Sequence, residues 1–149
     1  MTIAQTATTS FKVQLPQGVH NFNTDTFYIA LFTSAANIGP TTTNYTGTIG
    51  TAYMTGEVVG TGYTAGGLPL TVTTTPTSGS TGGSVAYWSF ANAVWSPAAF
   101  TTRGALIYNS SQSNASVCVL DFGADKSCSN SFTVQFPSVT NTTAILRIA

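Results

Sequence analysis

Hydrolysis or group transfer by side chains requires a nucleophile, a base and a group that orients the base. This chain offers one histidine, His20. An acid–base histidine needs positioned partners, and none is evident in the neighbouring sequence. His20 follows a short helical pattern and reads as a surface or capping residue. The carboxylates are Asp25, Glu57, Asp121 and Asp125. A glycosidase would need two of them facing each other across a sugar, and nothing in their spacing points to such a pair. Simpler roles suit them: Asp25 begins a strand, Asp125 with Lys126 makes a hairpin turn, and Asp121 lies in an apolar strand. Arg103 heads another apolar strand. Charges in such places are normally paired, because an isolated buried charge costs several kcal/mol. Arg103 is therefore expected to meet Asp121, or failing that Glu57.

The glycine-rich run GTGYTAGG at 60–67 matches neither the dinucleotide fingerprint nor the phosphate loop, and no lysine follows it. It is expected to be a tight turn between strands. One histidine, two separated cysteines and scattered aspartates do not make metal-ligand spacing. Cys118 lies in VCVLDF, and Cys128 lies beyond the turn expected at Asp125–Lys126. Across such a hairpin they are out of register, so free thiols are expected, with synthesis in a reducing cytoplasm. Tyr45, Tyr53, Tyr63, Tyr87, Trp88 and Trp95 could stack on saccharide rings, but core packing is the commoner use of large aromatic side chains. No catalytic, cofactor-binding or metal residue is assigned, and no cofactor is expected.

The elements that carry these residues belong to an unusual composition. Of 149 residues, 42% are hydrophobic and 11% aromatic, yet only 5% are charged, against about a quarter in ordinary soluble domains. Disordered chains are poor in aromatic and β-branched residues. Here Thr, Ser, Asn and Gly supply the polar surface, and Thr suits a pleated strand with one wet face. With four basic and four acidic residues, no basic stripe for nucleic acid can form. A net charge of zero gives little protection against association, as suits a subunit of an assembly. No run reaches the ~18 apolar residues of a membrane span, and MTIAQTATTS lacks the basic and apolar regions of a secretory signal. The Asn-x-Ser/Thr matches at Asn44, Asn109, Asn114 and Asn141 carry little weight in a Thr/Ser/Asn-rich chain.

One all-β domain over 1–149 follows. Phe11, Leu15 and Val19 have near-helical spacing, interrupted by Pro16 and ended by Gly18, while Phe11–Leu15 also alternates like a strand, so at most one short N-terminal helix is expected, with 1–10 as a possible arm. TDTFYIALFT from Thr24 is apolar on both faces, as in the middle of a packed sandwich. The Thr/Gly/Asn-rich segment 34–55 is long for a structureless loop in a compact domain, and such loops are generally functional or disordered. Anchored by Tyr45, Ile49, Tyr53 and Met54, it is expected to drape over the fold or a neighbour. LPLTVTT (68–74) reads as a strand, PTSGSTGGS (76–84) as a flexible turn, and VAYWSF (85–90) as the next strand. Arg103–Asn109, Ala115–Phe122, Ser131–Pro137 and Thr142–Ala149 are regularly spaced strands. That rhythm predicts an antiparallel β-sandwich of jelly-roll type.

The blocks DTFYIALFTSAA, GEVVGTGYTAGG, TTRGALIYNSS, ASVCVLDFGADKS and FTVQFP together resemble a group of small virion-associated proteins of tailed phages. The similarity runs from about Phe11 to Ile148 and is most specific in RGALIYN…VLDFGADKS…FTVQFP. The resemblance implies a structural, non-enzymatic role and carries over no site residues. A single β domain of this size further suggests a capsid cement or decoration protein. Such a protein binds the major capsid protein across junctions on the virion surface, as a dimer or trimer, without nucleic acid or membrane. A tail or fibre component, acting as adaptor or receptor-binding module, is the alternative.

Overall fold

A computed structural model describes residues 2–79 and 84–149. Its principal sheet has five strands: β1 (Thr6–Ala7), β2 (Phe27–Phe32), β3 (Leu68–Leu70), β7 (Phe100–Asn109) and β8 (Ala115–Cys128), in the order β1-β8-β7-β2-β3. A second sheet has the order β10-β5-β4, from β4 (Val72–Ser78), β5 (Ala86–Phe90) and β10 (Leu146–Ile148). A third pairs β6 (Ala93–Trp95) with β9 (Phe132–Val134). Every pairing between these strands is antiparallel, and the sheets pack face to face as an all-β, sandwich-like fold. The one helix among the described residues, α1 (Thr9–Gln14), begins at Thr8, whose hydroxyl accepts the Phe11 N–H at 3.3 Å. Gly18, at φ +71°, turns the chain away beyond it, as the Pro16–Gly18 pattern anticipates.

The doubly apolar β2 explains the layering. Phe27, Ile29 and Leu31 face a core shared with Trp88, Phe90, Trp95, Val134 and Leu146 of the smaller sheets. Ala30 and Phe32 face the opposite way, into a second core with Leu106, Tyr108 and Val119. That second core is roofed by a long irregular connection: Ala36, Ile38 and Tyr45, with Ile49 and Met54 half-buried beside them. The segment expected to drape over the fold or a neighbour therefore covers the chain's own principal sheet. It runs from β2 to β3, beyond the 34–55 bounds read from sequence. Burying each large side chain of β2 stabilises the fold by about 1.5–3 kcal/mol, so both layers contribute to holding this strand.

Several boundaries need correction. Asp125 and Lys126 do not form a hairpin turn; they lie within β8, and the β7–β8 turn is at 110–114, where Ser113 and Asn114 have positive φ. The register jumps from Gly104↔Asp121 to Thr102↔Lys126. The glycine and polar residues of FGAD thus mark an outward bulge, with Gly123 at φ +76°. LPLTVTT is two strands rather than one: β3 and β4 lie in different sheets, and Thr71 is the corner between them, its carbonyl accepting the Ala91 N–H at 2.8 Å. Within the stretch read as a turn at 76–84, Pro76–Ser78 belongs to β4, and Ser80–Gly83 lie outside the described residues. The N-terminal segment lies along the domain: Ile3 bridges Ile38, and β1 pairs with β8.

Candidate functional site

The most heavily constructed polar site is centred on Glu57, in the connection between β2 and β3. Its side chain is buried, with 5% exposure. Oε1 accepts from the Tyr63 hydroxyl at 2.8 Å and the Gly66 N–H at 2.7 Å. Oε2 accepts from the Tyr45 hydroxyl at 2.8 Å and the Met54 N–H at 2.7 Å. Four donors from four points of one loop thus converge on a single carboxylate. The local chain makes this possible. Gly67 has φ +75°, and a Cβ there would lie 1.8 Å from the Ile29 carbonyl oxygen; only glycine lets this turn close against β2. Tyr63 also accepts the Leu31 N–H at 2.8 Å, and the Tyr108 hydroxyl donates to the Gly66 carbonyl at 2.9 Å. Loop, carboxylate and β2 are thereby bound into one network.

Burial raises the hydroxyls of Tyr45 and Tyr63 far above the ordinary tyrosine value, and their hydrogen bonds to Glu57 raise them further. Tyr108 is raised by the same burial. All three stay protonated and act as donors. No cation adjoins this carboxylate among the described residues, and Arg103 does not reach it. Arg103 pairs with Asp121 instead, Nε to Oδ1 at 3.1 Å, with both side chains about one-third exposed rather than buried. The Gly123 N–H and then Arg103 hold the Asp121 carboxyl below the usual range.

A second polar cluster joins the α1–β2 connection to the β7–β8 turn. His20 contacts Gln14 at 2.8 Å and Asn109 at 3.1 Å, and Asn109 also donates to Asp25 at 2.7 Å. His20 thus has partners that its sequence neighbours do not reveal, because Asn109 is 89 residues away. Burial lowers the imidazole below its ordinary value, and Asp25 only partly offsets this. At Asp25 itself burial acts to raise the carboxyl. The Asn21 N–H, the side chains of Asn109 and Gln112, and His20 together outweigh burial and leave it lowered.

The remaining candidates separate cleanly. Asp25, Glu57 and Asp121 sit in three networks with no hydrogen-bond partner in common, and Asp125 is exposed in the β8 bulge. Tyr45, Tyr63, Trp88 and Trp95 are core residues. Tyr87 is half-buried, and Tyr53, at 43% exposure, is the aromatic residue most open to solvent. The run 60–67 is not a tight turn between adjacent strands but the close-packed last part of the long β2–β3 connection, with Thr61 bridged to Ala99. Cys118 and Cys128 are free thiols on one strand. Among the described residues, no group of His, Cys, Asp and Glu is arranged to hold a metal, and no helix is long and apolar enough to cross a membrane. The Glu57 network was hidden in sequence: GEVVGTGY shows an acid beside glycines, but nothing marks which distant tyrosine and amides it gathers. No family model, no curated protein and no solved structure matches this chain.

Proposed function

We propose that this protein is a non-enzymatic structural component of a tailed-phage particle, most specifically a capsid cement or decoration protein that binds across junctions of the major capsid protein. One observation carries the reading beyond the sequence resemblance. The roof over the principal sheet is an irregular segment locked by Glu57, and it turns uncharged, partly apolar residues outward. Tyr53 is 43% and Val59 71% exposed on that segment. A surface fixed in advance loses little conformational entropy on docking, and charge depletion with aromatic enrichment characterises the buried centre of protein interfaces. The bulged and proline-bearing edge strand β4 (Val72–Ser78) is poorly suited to strand addition, which favours the roof over that edge as the binding element. Docking of each copy on capsid protein, or association as a dimer or trimer, covers this surface.

Quantitative mass spectrometry of purified particles tests the reading. An abundance comparable to the major capsid protein is expected. A much smaller number of copies assigns the protein to the tail or fibre, and absence from particles overturns the structural role.

A further inference from the structure

We propose that His20, Asn109 and Asp25 form an acid-responsive latch, which holds the His20 end of the 15–26 connection against the end of β7 at neutral pH and releases it when the imidazole gains a proton. The reasoning starts from Asn109, which is fully buried at the end of β7. Its Oδ1 accepts the Ser111 N–H at 3.0 Å, and its Nδ2 donates to the Asp25 carboxylate at 2.7 Å. These partners fix the amide orientation, because a flipped amide would aim oxygen at a carboxylate and N–H groups at an N–H. The second Nδ2 proton then points at His20 Nδ1, 3.1 Å away, so Nδ1 must be an acceptor. The ring proton is on Nε2, where it donates to Gln14 Oε1 at 2.8 Å. The latch thus requires the neutral imidazole in one tautomer.

A proton on Nδ1 places two donors face to face. The amide cannot turn to accept it without breaking its bonds to Asp25 and Ser111. Asp25, in the connection just before β2, is the ionised group acting on His20, while α1 presents Gln14 and the Phe11 ring, 5.0 Å from the imidazole between centroids. A protonated His20 is therefore drawn from Asn109 towards Asp25, whose carboxylate already holds the Asn21 N–H at 2.9 Å and Asn109. Either movement breaks the His20–Asn109 bond and loosens the His20 end of the connection, while Thr26 stays on the turn through its bonds with Ser110 and Ser111. The connection also forms one wall of a cleft of about 430 Å3, where Leu15, His20 and Phe22 face Pro76, Trp88 and Ile148. The Phe22 and Trp88 rings lie 5.1 Å apart, so release changes the surroundings of Trp88.

Two measurements test the latch. In the wild-type protein, 15N NMR of the imidazole should show Nδ1 unprotonated at neutral pH. Hydrogen-exchange protection at Asn21 and Ser111, whose N–H groups bond Asp25 and Asn109, should fall several-fold as pH drops from about 7.5 to 5.5 and the imidazole gains its proton. In His20→Gln, whose amide supplies an uncharged donor and acceptor, the fall should be absent. An equal fall in both proteins, or a protonated Nδ1 at neutral pH, overturns the proposal. Should His20→Gln fail to fold, the wild-type tautomer decides the question.

Discussion

Replacing Glu57 by Gln tests whether this one carboxylate holds the roof of the domain. The substitution preserves shape, so the result reports hydrogen bonding. With the amide oxygen facing Tyr63 and Gly66, those two bonds survive in neutral form. The amide nitrogen then meets the Met54 N–H, a donor against a donor at a site 2.7 Å from the native oxygen. Tyr45 has an escape, because its hydroxyl also lies 3.1 Å from the Ala52 carbonyl. One buried N–H is left unpaired, at about 1–3 kcal/mol, and the remaining bonds lose about half their charge-assisted strength. Relief from burying a charge offsets part of this. The expected loss is about 2–4 kcal/mol, a large share of a typical total of about 5–15. For a chain of this length it should lower Tm by very roughly 3 °C per kcal/mol. Urea denaturation followed by tryptophan fluorescence should show a lower midpoint at unchanged slope. Hydrogen exchange should place the largest loss of protection within 34–67. A change below about 0.5 kcal/mol, the range of an ordinary surface substitution, with protection in the loop intact, would refute the assignment of Glu57 as the anchor.

Gly67→Ala should destabilise by about 3 kcal/mol or more, since its Cβ meets the Ile29 carbonyl at 1.8 Å and its φ is +75°; near-native stability in the same denaturation assay would show that the turn relaxes freely. Cys118 is buried and its thiol is pushed up to about 12 by burial, so native protein should react with a thiol reagent at Cys128 while Cys118 reacts only on unfolding, as peptide mass spectrometry can read. The pH dependence has a definite sign. His20, Asp25 and Asp121 are all lowered in the folded state, so the unfolded chain binds more protons. The stability they contribute is present above their unfolded values and is lost as pH falls through the folded ones, first for the histidine and then for the aspartates. Tm should therefore decline steadily with acidification, and Asp25→Asn should flatten the lower part of that decline.

The legible parts of the sequence were those governed by local pattern. Alternation in FYIALF is apolar on both faces, and the strand does lie between two cores. Phe11 to Leu15 fits a helix or a strand by spacing alone, and the structure makes it a short helix, Thr9–Gln14, that stops before Pro16. Arg103 and Asp121 were paired by the cost of leaving charges alone, and they meet at 3.1 Å, although both remain partly exposed. The failures arose where one local signal fits two structures. GADK has turn residues, and a bulge uses them as readily as a hairpin turn; only the register of β7 against β8 decides between them. LPLTVTT alternates without interruption, but its two halves serve different sheets, and the corner at Thr71 has no residue-type signature. By sequence Glu57 reads as a second partner for Arg103, because charge pairing is the familiar way to bury an acid. Four neutral donors gathered from a folded loop cannot be read from spacing.

The placement of the carboxylates bears on how the surface recognises a partner. Asp25 accepts the Asn21 N–H, Asp121 the Gly123 N–H, and Glu57 those of Met54 and Gly66. Three of the four acids thus serve as acceptors for the chain's own turns, leaving Asp125 in the exposed bulge. Much of the outer surface falls to Thr, Ser, Asn and Gly together with scattered residues such as Tyr53 and Val59. An interface built from such a surface has little long-range field to steer encounter, and salt has little to screen. Its affinity must come from fit and from apolar and hydrogen-bonded contact. Under the proposed role, binding to the particle, or to isolated capsid protein, should change by less than about threefold between about 50 and 500 mM NaCl, whereas complexes steered by opposite charges weaken steeply over such a range. Sedimentation of labelled protein with particles across that series measures it. A steep loss of binding with salt would mean that the few exposed charges, Lys126 and Asp125 of the β8 bulge among them, dominate recognition, and that the neutral roof is not the docking surface.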